Sequence, residues 1–578
     1  MKNFLKKFQP VWVFLYFCAA TVFMTYPLAF HLTDSVLGGM GDNIYFVWLI
    51  RWYQKVFLEG QGHPFFNPWM NYPQGWNLST TDTTLSSALP GVPFSVLWGP
   101  IAGYNIAMFI TFVLAGFFMY LWIRHLTHSE AAALLAGTIY TFSPNHIAHF
   151  FAGHLNLSGI EWFPLFFWGL YELLKIGRRF DWRYILLTGL ALGAIAFTSM
   201  YYLYMTLLFS GVLVLAYLIF TRFAAFKNKY FWFNLILAGL LSVPFLYYSL
   251  RPFVTLSGAG GIASRSMEYA AMYSASPTDF FLPSSDHFLF GGLLSRYFDR
   301  SLWNETSLYI GLVGLIFMIV ALVRNRRSEH RWLIWSGFVV IIVSFILALG
   351  INLHWNNQNV VWQIPAFLQP LFHKTETLIY LPSAWLFNHL PFYNKMRALA
   401  RFGLFALIFI PILAAIGFDS VRQQLSARRA ALFSVAVFLF AFFEFYPGTY
   451  AAYLYQPQPR PVDLWLGQQP GEGAVVDMPF GNSANQGELY YTLFYNKPFL
   501  GGFFNANKPE QWSYAEPIMA GFPDEHSIEL LKRYKVEYVV IDITQYSHNP
   551  NFEATLQSYG LVKLTQQENE AVYTFEKR

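Results

Sequence analysis

The chain has 578 residues, of which 55% are hydrophobic and 20% aromatic while only 12% are charged. That is too little polar surface for a soluble fold of this size, so the composition points to a multi-pass membrane protein. The net charge of +5 falls mostly in short loops between apolar segments, with no basic-aromatic cluster beside it, and gives no support to nucleic-acid binding.

Crossing a ~30 Å hydrocarbon core takes roughly 20 apolar residues, and stretches of that kind recur about eleven times. They lie near 11–30, 103–123, 131–149, 159–175, 183–200, 203–221, 231–250, 307–323, 332–350, 402–420 and 430–447. The first follows Lys2, Lys6 and Lys7 without a small-residue cleavage site and reads as a retained signal anchor. The single cysteine, Cys18, lies inside it, which excludes an intramolecular disulfide. Ser143-Pro144 and Val243-Pro244 interrupt two spans, which neighbouring helices can compensate.

The connections alternate in character. One set is short and basic: Arg124; Lys175, Arg178, Arg179 and Arg183; Arg222, Lys227 and Lys229; Arg324, Arg326, Arg327 and Arg331; Arg422, Arg428 and Arg429. Basic loops stay cytoplasmic, so the long, sparsely basic loops 31–102, 251–306 and 351–401 are expected outside. This predicts a cytoplasmic N-terminus and, after eleven spans, a C-terminus on the opposite face, outside or in a lumen.

Past the last span the pattern changes. GAVVDMPF (473–480), EYVVIDI (537–543) and AVYTFEK (571–577) read as strands, and DEHSIELLKRYK (524–535) as an amphipathic helix, with QPQPRP (456–461) as a linker. The expected architecture is mainly α: a polytopic transmembrane bundle at 1–447 and a small extracytoplasmic α/β domain at 448–578.

HExxH, paired CxxC, phosphate-loop and GxSxG signatures are absent. What remains is a set of polar residues on the outer side. Asp42 stands in GGMGDNIYFVW (38–48), followed by Asp82. His146, His149, His154, Asn156 and Glu161 lie in SPNHIAHFFAGHLNLSGIEWFP (143–164), and Lys395, Arg397 and Arg401 in LPFYNKMRALARFG (390–403). Trp69, Trp76 and Trp303 lie in outer loops and are candidates for stacking on a sugar face.

Several short motifs together resemble the polytopic GT-C glycosyltransferases, most closely their bacterial YfhO-like and related uncharacterised members. They are Gly41-Asp42, YPQGWNL (72–78), GPIAGYN (99–105), GHLNL followed by Glu161-Trp162, MRALARF before a late helix, and VVDMPF at the start of a terminal domain. The resemblance implies transfer of a sugar from a polyprenyl-phosphate carrier to a glycan, lipid or protein acceptor on the extracytoplasmic face. It also implies an acid in the first outer loop acting in catalysis, at the position of Asp42. Many members carry two adjacent acids there, whereas this chain has Gly41-Asp42-Asn43, which leaves a divalent metal open. His154, Asn156 and Glu161 become expected substrate contacts on the same basis, and Asp82 is a further candidate contact, read either as a second acid or as a turn residue.

Such a reaction asks for a carboxylate as general base toward the acceptor hydroxyl and cations at the departing phosphate. Asp42 suits the first role. Arg397 and Arg401, spaced i, i+4 on one expected helix face at the membrane surface, suit the second. With no double displacement in view, inversion at the anomeric carbon is expected. The plain rival for Asp42 is the N-cap of an interfacial helix over 43–57; that for the arginines is snorkelling, and that for the histidines local hydrogen bonding. At the level of the whole chain the alternatives are a transporter or flippase of a lipid-linked substrate, and a non-catalytic assembly protein of envelope glycan synthesis.

Overall fold

A computed structural model describes residues 9–81, 83–175, 179–258, 264–299, 301–325, 328–367, 369–481, 486–504 and 508–576. The chain divides into two compact units. One comprises Met1–Phe30, Met108–Leu250 and Ile262–Ala452; the other comprises His31–Ala107, Arg251–Gly261 and Tyr453–Arg578. The division differs from a single boundary at 447/448, because the first long loop belongs with the C-terminal segment.

Among the described residues, five helices are long and apolar enough to cross a membrane: Pro100–Thr127, Met200–Phe220, Lys229–Val254, Arg331–Ala348 and Leu399–Arg422. The chain is an integral membrane protein. Two expected spans take another form. The stretch at 131–149 is two helices, Glu130–Thr141 and Pro144–Phe151, because Pro144 has no N–H to continue the first and instead opens the second. The stretch at 159–175 is a helix of 13 residues, Trp162–Leu174, about 20 Å long and too short to cross alone.

The first unit is a helical bundle built around Leu404–Arg422, whose residues from Leu404 to Asp419 are all buried. A helix apolar on every side belongs at such a centre. The helices Leu312–Arg324, Arg331–Ala348 and Glu130–Thr141 pack against it. Gly417 sets the closest approach: a Cβ there would lie 1.9 Å from the carbonyl oxygen of Phe317. Aromatic packing fills the rest, with Phe209 stacked on Phe405 at 4.2 Å.

The second unit is mixed. Its strands β1 (Ala474–Met478), β2 (Val536–Asp542), β3 (Leu561–Gln567) and β4 (Glu570–Phe575) form one sheet in the order β3-β4-β2-β1. β1 and β2 run parallel, and the other pairs antiparallel. The helix Glu525–Arg533 feeds β2 and starts at a capping box, Asp524 accepting from the Ser527 N–H. Val476, Val539, Ile541, Leu531 and Leu556 form the core. The loop segment is stitched to this part of the chain by backbone bonds. Val36 and Leu37 pair with Tyr455 and Leu454, Phe499 N–H donates to the Trp69 carbonyl (2.7 Å) and Asn71 N–H to that of Gly501 (2.8 Å).

Candidate active site

In the second unit, the segment before Asp42 is shaped by glycine and asparagine. Gly38 and Gly39 take positive φ, +93° and +141°, turning the chain into the helix Asp42–Phe57. Asn43, buried, then ties the turn together. Its Nδ2 donates to the carbonyls of Leu37 (2.9 Å) and Gly39 (2.8 Å), and its Oδ1 accepts from the N–H groups of Gly41 (2.9 Å) and Ile44 (2.8 Å). Asn105 of the GPIAGYN motif holds the approach to this turn, donating to the carbonyls of Leu32 (2.9 Å) and Ser35 (2.8 Å).

The N-cap is Gly41, with no side-chain cap bond, and Asp42 is the first helical residue. This corrects the expected rival role. The carboxylate sits half-buried beside the helix N-terminus, where the backbone dipole favours its charge. Gln486 Nε2 reaches its Oδ1 at 3.5 Å, and the buried Tyr104 lies within its electrostatic reach.

The Asp42 helix is not an interfacial one. Every residue from Asn43 to Ile50 is buried, and it packs on Gln486–Tyr495. Trp76 is likewise 1% exposed, enclosed by Tyr45, Trp48 and Phe504, so it cannot stack on a sugar. Trp69 is half-buried beneath Lys55. Asp82 lies outside the described residues.

In the first unit the arginines take a different form from an i, i+4 pair on one helix. Arg397 precedes the tight turn Leu399–Gly403, and Arg401 lies within it. Arg401 is buried and donates to both oxygens of Glu305, Nε to Oε2 at 2.8 Å and Nη2 to Oε1 at 2.5 Å. Burial pushes the Glu305 carboxyl up, but the guanidinium outweighs it and holds the group at about 2. Arg397 is half-buried against Tyr273, its guanidinium 5.0 Å from the ring centroid and Nη2 3.4 Å from the hydroxyl. Its Nε is buried without a hydrogen-bond partner.

His149 and His154 bring their Nδ1 atoms to 3.1 Å, and both lie within electrostatic reach of Glu305. His146 is occupied locally, Nδ1 by the Thr141 carbonyl at 2.8 Å and its ring by Phe112 at 3.7 Å. His154 and Asn156 are half-buried, whereas Glu161 is buried near Tyr140. Trp303 is half-buried, edge-on to Phe151. Among the described residues no group of three or more His, Cys, Asp or Glu comes together as a metal ion would need.

A family model described as a domain of unknown function, DUF6311, matches residues 13–375. The chain belongs to that family. No curated protein sequence matches it. Among solved structures, the mycobacterial arabinofuranosyltransferase AftD resembles this family member with a TM-score of 0.54 at 11% identity, over 98% of this chain and 40% of AftD. The oligosaccharyltransferase of Archaeoglobus fulgidus in its apo form resembles it with a TM-score of 0.50 at 13% identity, over 99% of this chain and 75% of that one. The DUF6311 chain therefore shares its fold with these two structures. The sequence had marked Arg401 and Asp42, but not Glu305 or Asn43, which decide how each is held.

Proposed function

We propose that the chain is a membrane glycosyltransferase that moves a sugar from a polyprenyl-phosphate donor to a glycan, lipid or protein acceptor on the extracytoplasmic face, inverting the anomeric carbon. The observation that carries the reading is the division of labour at the first turn of the Asp42 helix. Asn43 makes the four bonds that hold the turn, and Gly41 caps the helix, so the acid is not explained by capping. The shared fold with two enzymes named as glycosyltransferases supports the same class, as an argument from analogy.

In this mechanism the Asp42 carboxylate takes the acceptor hydroxyl proton as that oxygen attacks the anomeric carbon. The polyprenyl phosphate leaves with the electrons of the broken C–O bond, and a cation offsets its charge. Arg397 is assigned to that phosphate, since its Nε keeps a donor open. Arg401, held along one edge by two bonds to Glu305, is assigned as a positioning residue. His154 and Asn156 are assigned to sugar hydroxyls. The proposed topology goes with the reading: cytoplasmic N-terminus and C-terminal segment outside, in a bacterial plasma membrane.

The test is sugar transfer from a polyprenyl-phosphate donor in membranes containing the Asp42→Asn variant. Activity should fall by about 10²- to 10⁴-fold while the protein accumulates normally. Full activity overturns the assignment.

A further inference from the structure

In the second unit a single guanidinium serves three carboxylates at one end of the sheet. Arg460 is the N-cap of the helix Pro461–Gln468. Its Nε and Nη2 donate to Asp463 at 3.1 and 2.8 Å, and its backbone N–H donates to the same carboxylate at 2.9 Å. Nη2 also lies 3.2 Å from each oxygen of Asp477 on β1, and Nη1 lies 3.5 Å from Glu570 on β4. These strands flank β2, where Asp477 pairs with Val540 and Glu570 with Asp542.

Charge does not balance there. Among the described residues no other cation lies within ion-pairing distance of the three acids, so ionising them all sets three negative charges against one positive. Asp463 and Asp477 are buried, and an excess of buried charge is costly to keep. The acids are not equally served. Asp463 accepts three hydrogen bonds, whereas Asp477 has one donor atom shared between its oxygens and Glu570 only the longer contact. Burial accordingly pushes Asp477 and Glu570 up from their ordinary 3.8 and 4.5, and the guanidinium does not outweigh it. The other groups facing the cluster bring no positive charge. Asp542, at the end of β2, pushes Glu570 further up. Tyr491 and Tyr495 of the helix Gln486–Tyr495 are kept neutral by burial, with Glu488 acting on Tyr495 and Tyr455 on Tyr491.

The cluster also sits where several elements meet. The guanidinium lies 4.2 Å from the centroid of the Tyr491 ring, and the helix Pro461–Gln468 packs on Gln486–Tyr495. The neighbouring Tyr490 hydroxyl donates to the Pro457 carbonyl at 3.1 Å. Arg460 thus fastens the end of the 456–461 connection to β1, to β4 and to the helix that packs on the Asp42 helix.

We propose that this cluster is a proton-sensitive latch: with one proton bound it holds segment 460–468 against the sheet and the Gln486–Tyr495 helix, and releasing that proton to solvent loosens the segment. An acid raised in the folded state contributes stability that is complete below its unfolded pKa and is lost as pH rises through the folded one. The latch therefore tightens on acidification, the opposite of the Arg401–Glu305 pair. It does not depend on the transferase reading, because it is measured on the protein alone.

The experiment is hydrogen–deuterium exchange of the purified full-length chain in detergent, with protection referred to the intrinsic exchange rate at each pH. Protection of 461–468 should fall about tenfold or more between about pH 5 and about pH 8, while the helix Glu525–Arg533, which leads into the far end of β2, keeps its protection. Asp477→Asn keeps the side chain's shape without its charge, so at about pH 8 the segment should stay as protected as at about pH 5, within about threefold. Should Asp477→Asn fail to fold, Glu570→Gln, at a half-buried position, carries the same expectation. Equal protection of the parent at both pH values, a matching fall in Glu525–Arg533, or full pH dependence in the charge-removing variant overturns the proposal.

Discussion

Arg401 and Glu305, 96 residues apart in sequence, meet as a buried two-point ion pair that fastens the short helix Trp303–Thr306 to the turn opening the central helix of the bundle. The Tyr201 ring lies 5.0 Å from the guanidinium and shields it. Two parallel hydrogen bonds are what a guanidinium offers and an ammonium cannot.

Removing one partner leaves the other charge buried. Arg401→Gln should therefore destabilise the bundle by about 3–5 kcal/mol, while Glu305→Leu combined with Arg401→Met should recover a large part of that loss. Thermal unfolding in detergent reads both; a single variant as stable as the parent would show the pair to be dispensable.

The same pair sets an acid limit. The Glu305 carboxyl is lowered from its ordinary 4.5 to about 2, so it is the charged form that the fold favours. A lowered acid contributes stability above its unfolded pKa and loses it as pH falls toward the folded one. Melting temperature should hold with respect to this group from neutral pH to about 4.5 and fall below that, toward 2, more steeply in the parent than in Glu305→Gln.

Asp42 and its neighbour should separate in kind. Asn43→Ala removes four hydrogen bonds from a buried turn and should cost about 2–4 kcal/mol, since it leaves buried partners unsatisfied. Asp42→Asn gives up a carboxylate at a helix N-terminus, worth about 0.3–1 kcal/mol, yet should cut transfer by about 10²- to 10⁴-fold. Melting temperatures and transfer rates measured on both variants would sink the assignment by moving together.

Arg397 should act on donor binding. Arg397→Ala is expected to raise KM for the polyprenyl-phosphate donor about 10- to 100-fold with a smaller effect on kcat, and Arg397→Lys to restore part of it as a point charge. An unchanged KM would leave the residue as a partner of Tyr273 only.

The fold was legible where the signal is local. Apolar runs located the five helices long enough to cross a membrane, though not the form of the stretches at 131–149 and 159–175, and VVDM and VVID announced β1 and β2 because strands buried on both faces read as continuous apolar runs. β3, LVKLTQQ, escaped because most of its residues are exposed or half-exposed at a sheet edge, and its lysine and glutamines suppress the strand pattern. The break at Pro144 was visible as a proline but not as two helices, because a membrane span tolerates one when its neighbours supply the missing bonds. At the site, Arg401 stood out as a charge beside an apolar run. Its partner did not: Glu305 sits in the sequon Asn304-Glu305-Thr306, and nothing local marks a contact with a residue so far along the chain.

The orientation rests on charge outside the helices and can be tested apart from any activity. Lys227 lies in a basic connection with Arg222 and Lys229, and Glu568 is exposed in the turn between β3 and β4. If basic loops stay cytoplasmic, the two positions face opposite sides of the membrane. With Cys18 replaced by alanine to clear the background, Glu568→Cys should react with a membrane-impermeant maleimide on intact cells, and Lys227→Cys only after permeabilisation. The reverse pattern would turn the whole chain over and place Asp42 on the cytoplasmic side, where a polyprenyl-phosphate donor presented from outside could not reach it.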